Sequence, residues 1–167
     1  MQTGKARMEH LNCDLARHNL ADLLALWWKA DHIYCTILQK WRLPLNSLWT
    51  LEALLSSSGP DEPARLADHL NIPRQTMTII LDSLERRGVI RREAHPTDRR
   101  RKRIRLTETG RAFANEVSTE VNAIEVEAMS QLPAAEQRAF VELSRKFYDA
   151  LKTAGEQFRQ KEAAAAK

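Results

Sequence analysis

A chain of 167 residues, 43% hydrophobic and 29% charged with a net charge of +4, is long enough for one well-cored domain or for a small lobe with a helical appendage. Its apolar runs fall far short of a bilayer span, and MQTGKARMEH has no apolar signal core, so neither a membrane nor an exported protein is expected, and the cytoplasm is. The charge is concentrated: Arg86 to Arg105 holds ten basic residues against Glu93 and Asp98, a local +8 that leaves −4 for the rest and calls for a polyanionic partner.

In chain order, residues 11–41 contain neither Gly nor Pro and predict one long helix. Leu20, Leu24, Trp27, Tyr34, Leu38 and Trp41 form one apolar stripe, and Leu23, Leu26, Ala30, Ile33 and Ile37 form a second beside it. So wide an apolar surface needs more than one neighbour, and a second subunit is the natural one. Cys13 and Cys35 on this helix would stand about 33 Å apart, which excludes a disulfide between them within one chain. His32 and Cys35 share a face at i, i+3, with His10 and His18 upstream, but two ligands do not make a zinc site, and no metal is expected.

Pro44 closes that segment, and residues 46–57 resume helical periodicity through Leu48, Leu51, Leu54 and Leu55. A loop is expected at SSSGP, and Pro63 opens the short helix ARLADHL, with Leu66, Ala67 and Leu70 inward. After Asn71, Ile72 and Pro73 comes a helix to about Arg87 with Met77, Ile80, Leu81 and Leu84 on its buried side. Arg74, Gln75, Thr76, Thr78 and Asp82 are left largely outward. Two helices joined by so short a turn, the second polar near its N-terminus, make a helix-turn-helix suited to the DNA major groove.

Gly88 is the stop. Residues 89–93 and 103–106 predict two strands around the polar loop AHPTDRRRK, a wing for phosphates or the minor groove. A helix then starts at Thr107 with Phe113, Val117, Val121, Ile124 and Ala128 on one stripe, broken by Pro133. The last helix carries Phe140, Leu143, Phe147, Leu151 and Phe158, and the KEAAAAK tail is expected to fray. The expected fold is mainly α with a small β-hairpin wing: a winged helix-turn-helix lobe over 45–107 and a helical dimerisation region from 11–44 and 108–160.

The elements LADHL, LERRG, VIRR, the wing pattern P-x-D-x-R at Pro96, Asp98 and Arg100, and LTETG together resemble the MarR family of winged-helix transcription factors. The resemblance implies a homodimer with intertwined first and last helices, acting as a repressor that sets two winged lobes on a palindromic operator in double-stranded DNA. It puts the second helix of the motif in the major groove and the wing arginines in the minor groove. Arg74 and Gln75 then suit guanine and adenine edges, and Thr76 and Thr78 suit phosphate or a thymine methyl. Asp98 is placed to orient Arg100, flanked by Arg99 and Arg101.

Proteins similar to this one bind small aromatic acids between the dimerisation helices and the lobe, and Trp28, His32, Trp41 and Trp49 are the candidates for such a ligand. Other relatives sense peroxide through a cysteine, which makes Cys13 or Cys35 the alternative trigger. A further alternative is an architectural or protein-interaction module without sequence preference. The sequence has no Gly-rich phosphate loop, nucleophile motif or paired-carboxylate signature, so neither catalysis nor a cofactor is expected.

Overall fold

The computed structural model describes the backbone of residues 2–59, 61–98 and 101–165, with side chains from Cys13 onward. Six helices and one hairpin follow in order: α1 (Gln2–Leu38), α2 (Leu45–Ser56), α3 (Pro63–His69), α4 (Arg74–Arg86), β1 (Ile90–Ala94), β2 (Lys102–Leu106), α5 (Glu108–Ser130) and α6 (Ala134–Ala165). A 3-10 turn, Gln39–Trp41, ends α1. The architecture is the one expected, with strand ends shifted by a residue. α6 runs to Ala165, into the tail expected to fray. The chain forms two compact units, residues 1–119 and 120–167.

In the first unit the ends of three helical segments, α1 with its 3-10 turn, α3 and α4, share one physical device. Arg42 and Asn71, each at φ 52°, and Gly88, at φ 69°, take the left-handed conformation. At each, the next residue's N–H reaches back five positions: Leu43 to Leu38 at 3.2 Å, Ile72 to Ala67 at 2.9 Å, and Val89 to Leu84 at 3.0 Å. These are Schellman closures, which satisfy carbonyls a helix end otherwise orphans. Asn and Gly suit that conformation; Arg42 holds it without their advantage.

The core lies among α2, α3, α4 and the hairpin. Leu48, Leu51, Leu66, Met77, Leu81, Leu84, Ile90 and Ile104 are almost wholly buried. Along α4 the buried set is Met77, Ile80, Leu81 and Leu84, the i, i+3, i+4, i+7 stripe read from the sequence. Removing one such side chain to Ala typically costs about 2–5 kcal/mol, so this stripe fixes which face of α4 looks outward.

The hairpin is antiparallel, pairing Ile90 with Leu106, Arg91 with Arg105, Arg92 with Ile104, Glu93 with Arg103 and Ala94 with Lys102. A third short bridge was not expected. In the stretch read as loop, Asp61 N–H donates to the Ile104 carbonyl at 2.9 Å and Ile104 N–H to the Asp61 carbonyl at 2.5 Å. The wing is therefore stitched to the residues that lead into α3.

Thr107 joins wing to α5. Its hydroxyl accepts the Gly110 N–H at 2.9 Å, capping the helix, and donates to the Gly88 carbonyl at 2.7 Å. Gly110 is required by close approach: a Cβ there would stand 1.8 Å from the Val89 carbonyl oxygen. The LTETG sequence thus welds the start of α5 to the entry of β1.

The second unit holds residues 120–130 of α5, the turn at 131–133, and α6. Gln137 Nε2 donates to the Leu132 carbonyl at 2.9 Å, fastening the turn. No residue of α6 is buried, and Phe140, Leu143, Leu151 and Phe158 are each more than half exposed.

Candidate nucleic-acid interface

With Met77, Ile80, Leu81 and Leu84 inward, the opposite side of α4 presents Gln75, Ile79, Asp82 and Arg86 along its centre, flanked by Arg74 and Thr78. Arg74 is exposed, 3.6 Å from Asp68 of α3. Thr78 Oγ1 donates to the Arg74 carbonyl at 3.0 Å, which turns its hydroxyl back onto the helix. Thr76 is half-buried and sits at the edge of the presented face. Ile79, not picked out from the sequence, is 67% exposed in the middle of it. A signal was available, since position 79 falls outside the buried periodicity, but an apolar residue beside an apolar stripe is easily counted with the core.

Much of the basic run is engaged within the lobe. Arg92 crosses from β1 to α4, reaching Asp82 at 2.6 Å and Glu85 at 2.5 Å. It neutralises the two acids that would otherwise repel a phosphate backbone. Arg91 and Arg105 stand directly across the hairpin, an unfavourable like-charge pair. Glu93 lies between them at 2.9 and 3.2 Å and offsets it. The hydrogen bond from Arg91, with Arg105 adding to it, holds the Glu93 carboxyl below the usual carboxylate range. Arg87 donates to the Trp41 carbonyl at 2.9 Å and lies 5.2 Å over the Phe113 ring, so it ties the end of α4 to α5 and the residues after α1.

At the wing, Arg101 is hydrogen-bonded to Glu62, the residue that leads into α3. Its N–H also donates to the Asp98 carbonyl at 3.0 Å. Hydrogen bonding from Arg101 is the main cause holding Glu62 below the ordinary glutamate range, and in return Glu62 pushes the Arg101 guanidinium up. His95 Nε2 lies 3.6 Å from the other Glu62 oxygen. Arg101, expected to grip a groove, thus has its guanidinium engaged by Glu62 at the loop end of the hairpin. Arg99 and Arg100 lie outside the described residues, so the Asp98 to Arg100 bond remains an expectation. Among the described residues, Lys102 and Arg103 make no ion pair.

The four ligand candidates are not brought together. Trp28, 73% exposed, and His32 line a shallow groove on α1 with Ala25, Lys29 and Ile33. Trp49 borders a separate open cleft with Glu52, Asp61, Arg65 and His69. Trp41 lies apart from both: it is buried, its Nε1 donates to Glu116 at 2.9 Å, and Lys40 covers its ring. A contact spanning 75 residues of sequence leaves no trace in local spacing. Cys13 and Cys35 are both exposed thiols. No group of three or more potential metal ligands occurs among the described residues, and no helix among them is long and apolar enough to cross a membrane.

A short helix, a tight turn, a second helix with a polar outward face and a two-stranded wing define a winged helix-turn-helix. Residues 43–101, the winged lobe, match the family model described as MarR family. Among solved structures, the MepR–DNA complex of S. aureus is similar at a TM-score of 0.67 and 22% identity, over 76% of this chain and 93% of that one. BpsR of Bordetella bronchiseptica, whose DNA binding is regulated by 6-hydroxynicotinic acid, gives 0.65 at 24%, over 76% and 90%. YusO of Bacillus subtilis gives 0.62 at 23%, over 82% and 96%. At these identities the likeness is one of fold.

Proposed function

We propose that this protein is a homodimeric transcriptional regulator, a repressor that binds a palindromic operator and is released by a small aromatic acid. The observation that carries the reading is the outward face of α4, where Gln75, Thr78 and Arg86 stand exposed beside a hairpin whose Lys102 and Arg103 remain available for phosphate. In a major groove, Arg74 and Gln75 reach guanine and adenine edges, while the wing, with Asp98, Arg99, Arg100 and Arg101 as its proposed contacts, lies against the neighbouring minor groove.

Dimerisation is supported by apolar surface left uncovered in each unit. Leu26, Trp28 and Ile33 of α1 are each more than half exposed, as are Phe140, Leu143, Leu151 and Phe158 of α6. Residues 11–44 and 108–160 would serve as the dimerisation region, each copy covering the other's faces. For the effector, the α1 groove offers an indole face beside Lys29 and His32, which suits an aromatic carboxylate. Exposure of both thiols favours a second trigger, oxidation of Cys13 or Cys35. No catalytic role is proposed, and the expected place of action is the cytoplasm.

The test is to measure binding of Gln75→Ala and Arg74→Ala proteins to a duplex selected by the wild-type protein. Each should lose about 1–3 kcal/mol on that duplex, the range of one bidentate base contact, and little on random DNA. Equal losses on both duplexes would remove α4 from base recognition.

A further inference from the structure

Ile79 is an anomaly on α4. It is 67% exposed, so burial does not explain it, and a β-branched residue at an exposed helical site is a poorer helix former than Ala. It stands one turn after Gln75 and one turn before Ser83, with Asp82 and Arg86 completing the same outward strip. The hollow beside it is lined by Asp82, Glu85 and Arg86. Arg92 neutralises Asp82 and Glu85 from the inner side. The result is one apolar branch in a polar strip, between basic flanks at Arg74 and Arg86.

We propose that Ile79 is a specificity-determining residue that recognises thymine through its 5-methyl group, at a base adjacent to the one met by Gln75. This rests on the reading of α4 as the helix that enters the major groove. The chemistry follows from what that groove displays. Thymine is the base that places a methyl there, and an isoleucine side chain has no donor or acceptor for any other base edge. Docking covers both the side chain and the methyl, so the apolar surface exposed in the free protein is removed from water upon binding. Cytosine at that position would present an amino group to a side chain that cannot accept from it, and the unmet donor would disfavour the wrong base.

The experiment starts by selecting preferred duplexes from a random pool with the full-length protein. Each thymine of the preferred site is then replaced in turn by deoxyuridine, which removes the methyl and leaves base pairing unchanged. Dissociation constants are compared for wild-type, Ile79→Ala and Ile79→Val proteins. At one thymine per half-site, deoxyuridine should weaken the wild type about four-fold, the equivalent of about 0.8 kcal/mol for one buried carbon.

Ile79→Ala should bind the two duplexes equally, and Ile79→Val, which keeps the branch, should retain most of the preference. Ala is the better helix former, so unchanged or raised thermal stability confirms that the variant is folded. If no deoxyuridine substitution affects the wild type, or if one costs Ile79→Ala as much as wild type, Ile79 does not read thymine. A selection that yields no preferred sequence overturns the underlying DNA-recognition reading instead.

Discussion

Two glycines in the lobe are required for different reasons, and substitution separates them. At Gly88 a Cβ would meet nothing within 4 Å, but φ is 69°, so Ala there costs the left-handed penalty, about 1–2 kcal/mol. At Gly110 the added carbon would collide with the Val89 carbonyl, a backbone atom that cannot swing away. Gly110→Ala should therefore cost about 3 kcal/mol or more, measured by denaturant unfolding. Equal losses for the two variants would mean that the weld between the start of α5 and the entry of β1 relaxes easily. The role of Gly88 was legible in the sequence because it follows an ended helical period. The clash at Gly110 was not, since it depends on an oxygen 21 positions earlier in the chain.

Among elements, α3, α4 and the hairpin were legible because local signals agree: Pro63, Gly88 and period-two alternation at Arg103 to Leu106 all mark boundaries. The joints between elements were not, because they are set by pairs distant in sequence. Asp61 with Ile104, Glu62 with Arg101 and Trp41 with Glu116 are side-chain or strand pairings that no periodicity encodes. The Glu62 clasp has a pH signature. Its carboxyl titrates below the usual range in the folded lobe, so it stabilises at neutral pH and its contribution is lost as pH falls through the folded value. The thermal-midpoint difference between wild type and Glu62→Gln should be steady near neutrality and close in the acid range. A gap that stays open or widens in acid would contradict the clasp. Arg65 and His95 also face Glu62, so Arg101→Ala should reproduce the larger part of the effect and His95→Ala the smaller.

For the molecule as a whole, the uncovered stripes are the surface that the proposed dimer would bury. Phe140, Leu143, Phe147, Leu151 and Phe158 recur on one side of α6, and burying a side chain of this kind contributes about 1.5–3 kcal/mol. Leu143→Asp with Leu151→Asp should convert a dimer to monomer in sedimentation velocity while leaving helix content near that of wild type. A wild-type monomer at micromolar concentration would remove the dimer. The apolar pattern was legible from residue spacing alone. Its partner was not, because one chain's sequence carries no record of which surface covers another's.

Whether α4 and the wing read DNA by sequence is answered by competition between a promoter-derived palindromic duplex and random duplex, repeated across a salt series. The account predicts a preference of at least about 10³ for the palindrome, with affinity for both duplexes falling steeply as salt rises. Equal affinity for the two at matched salt would contradict it and leave an architectural or protein-interaction module in its place.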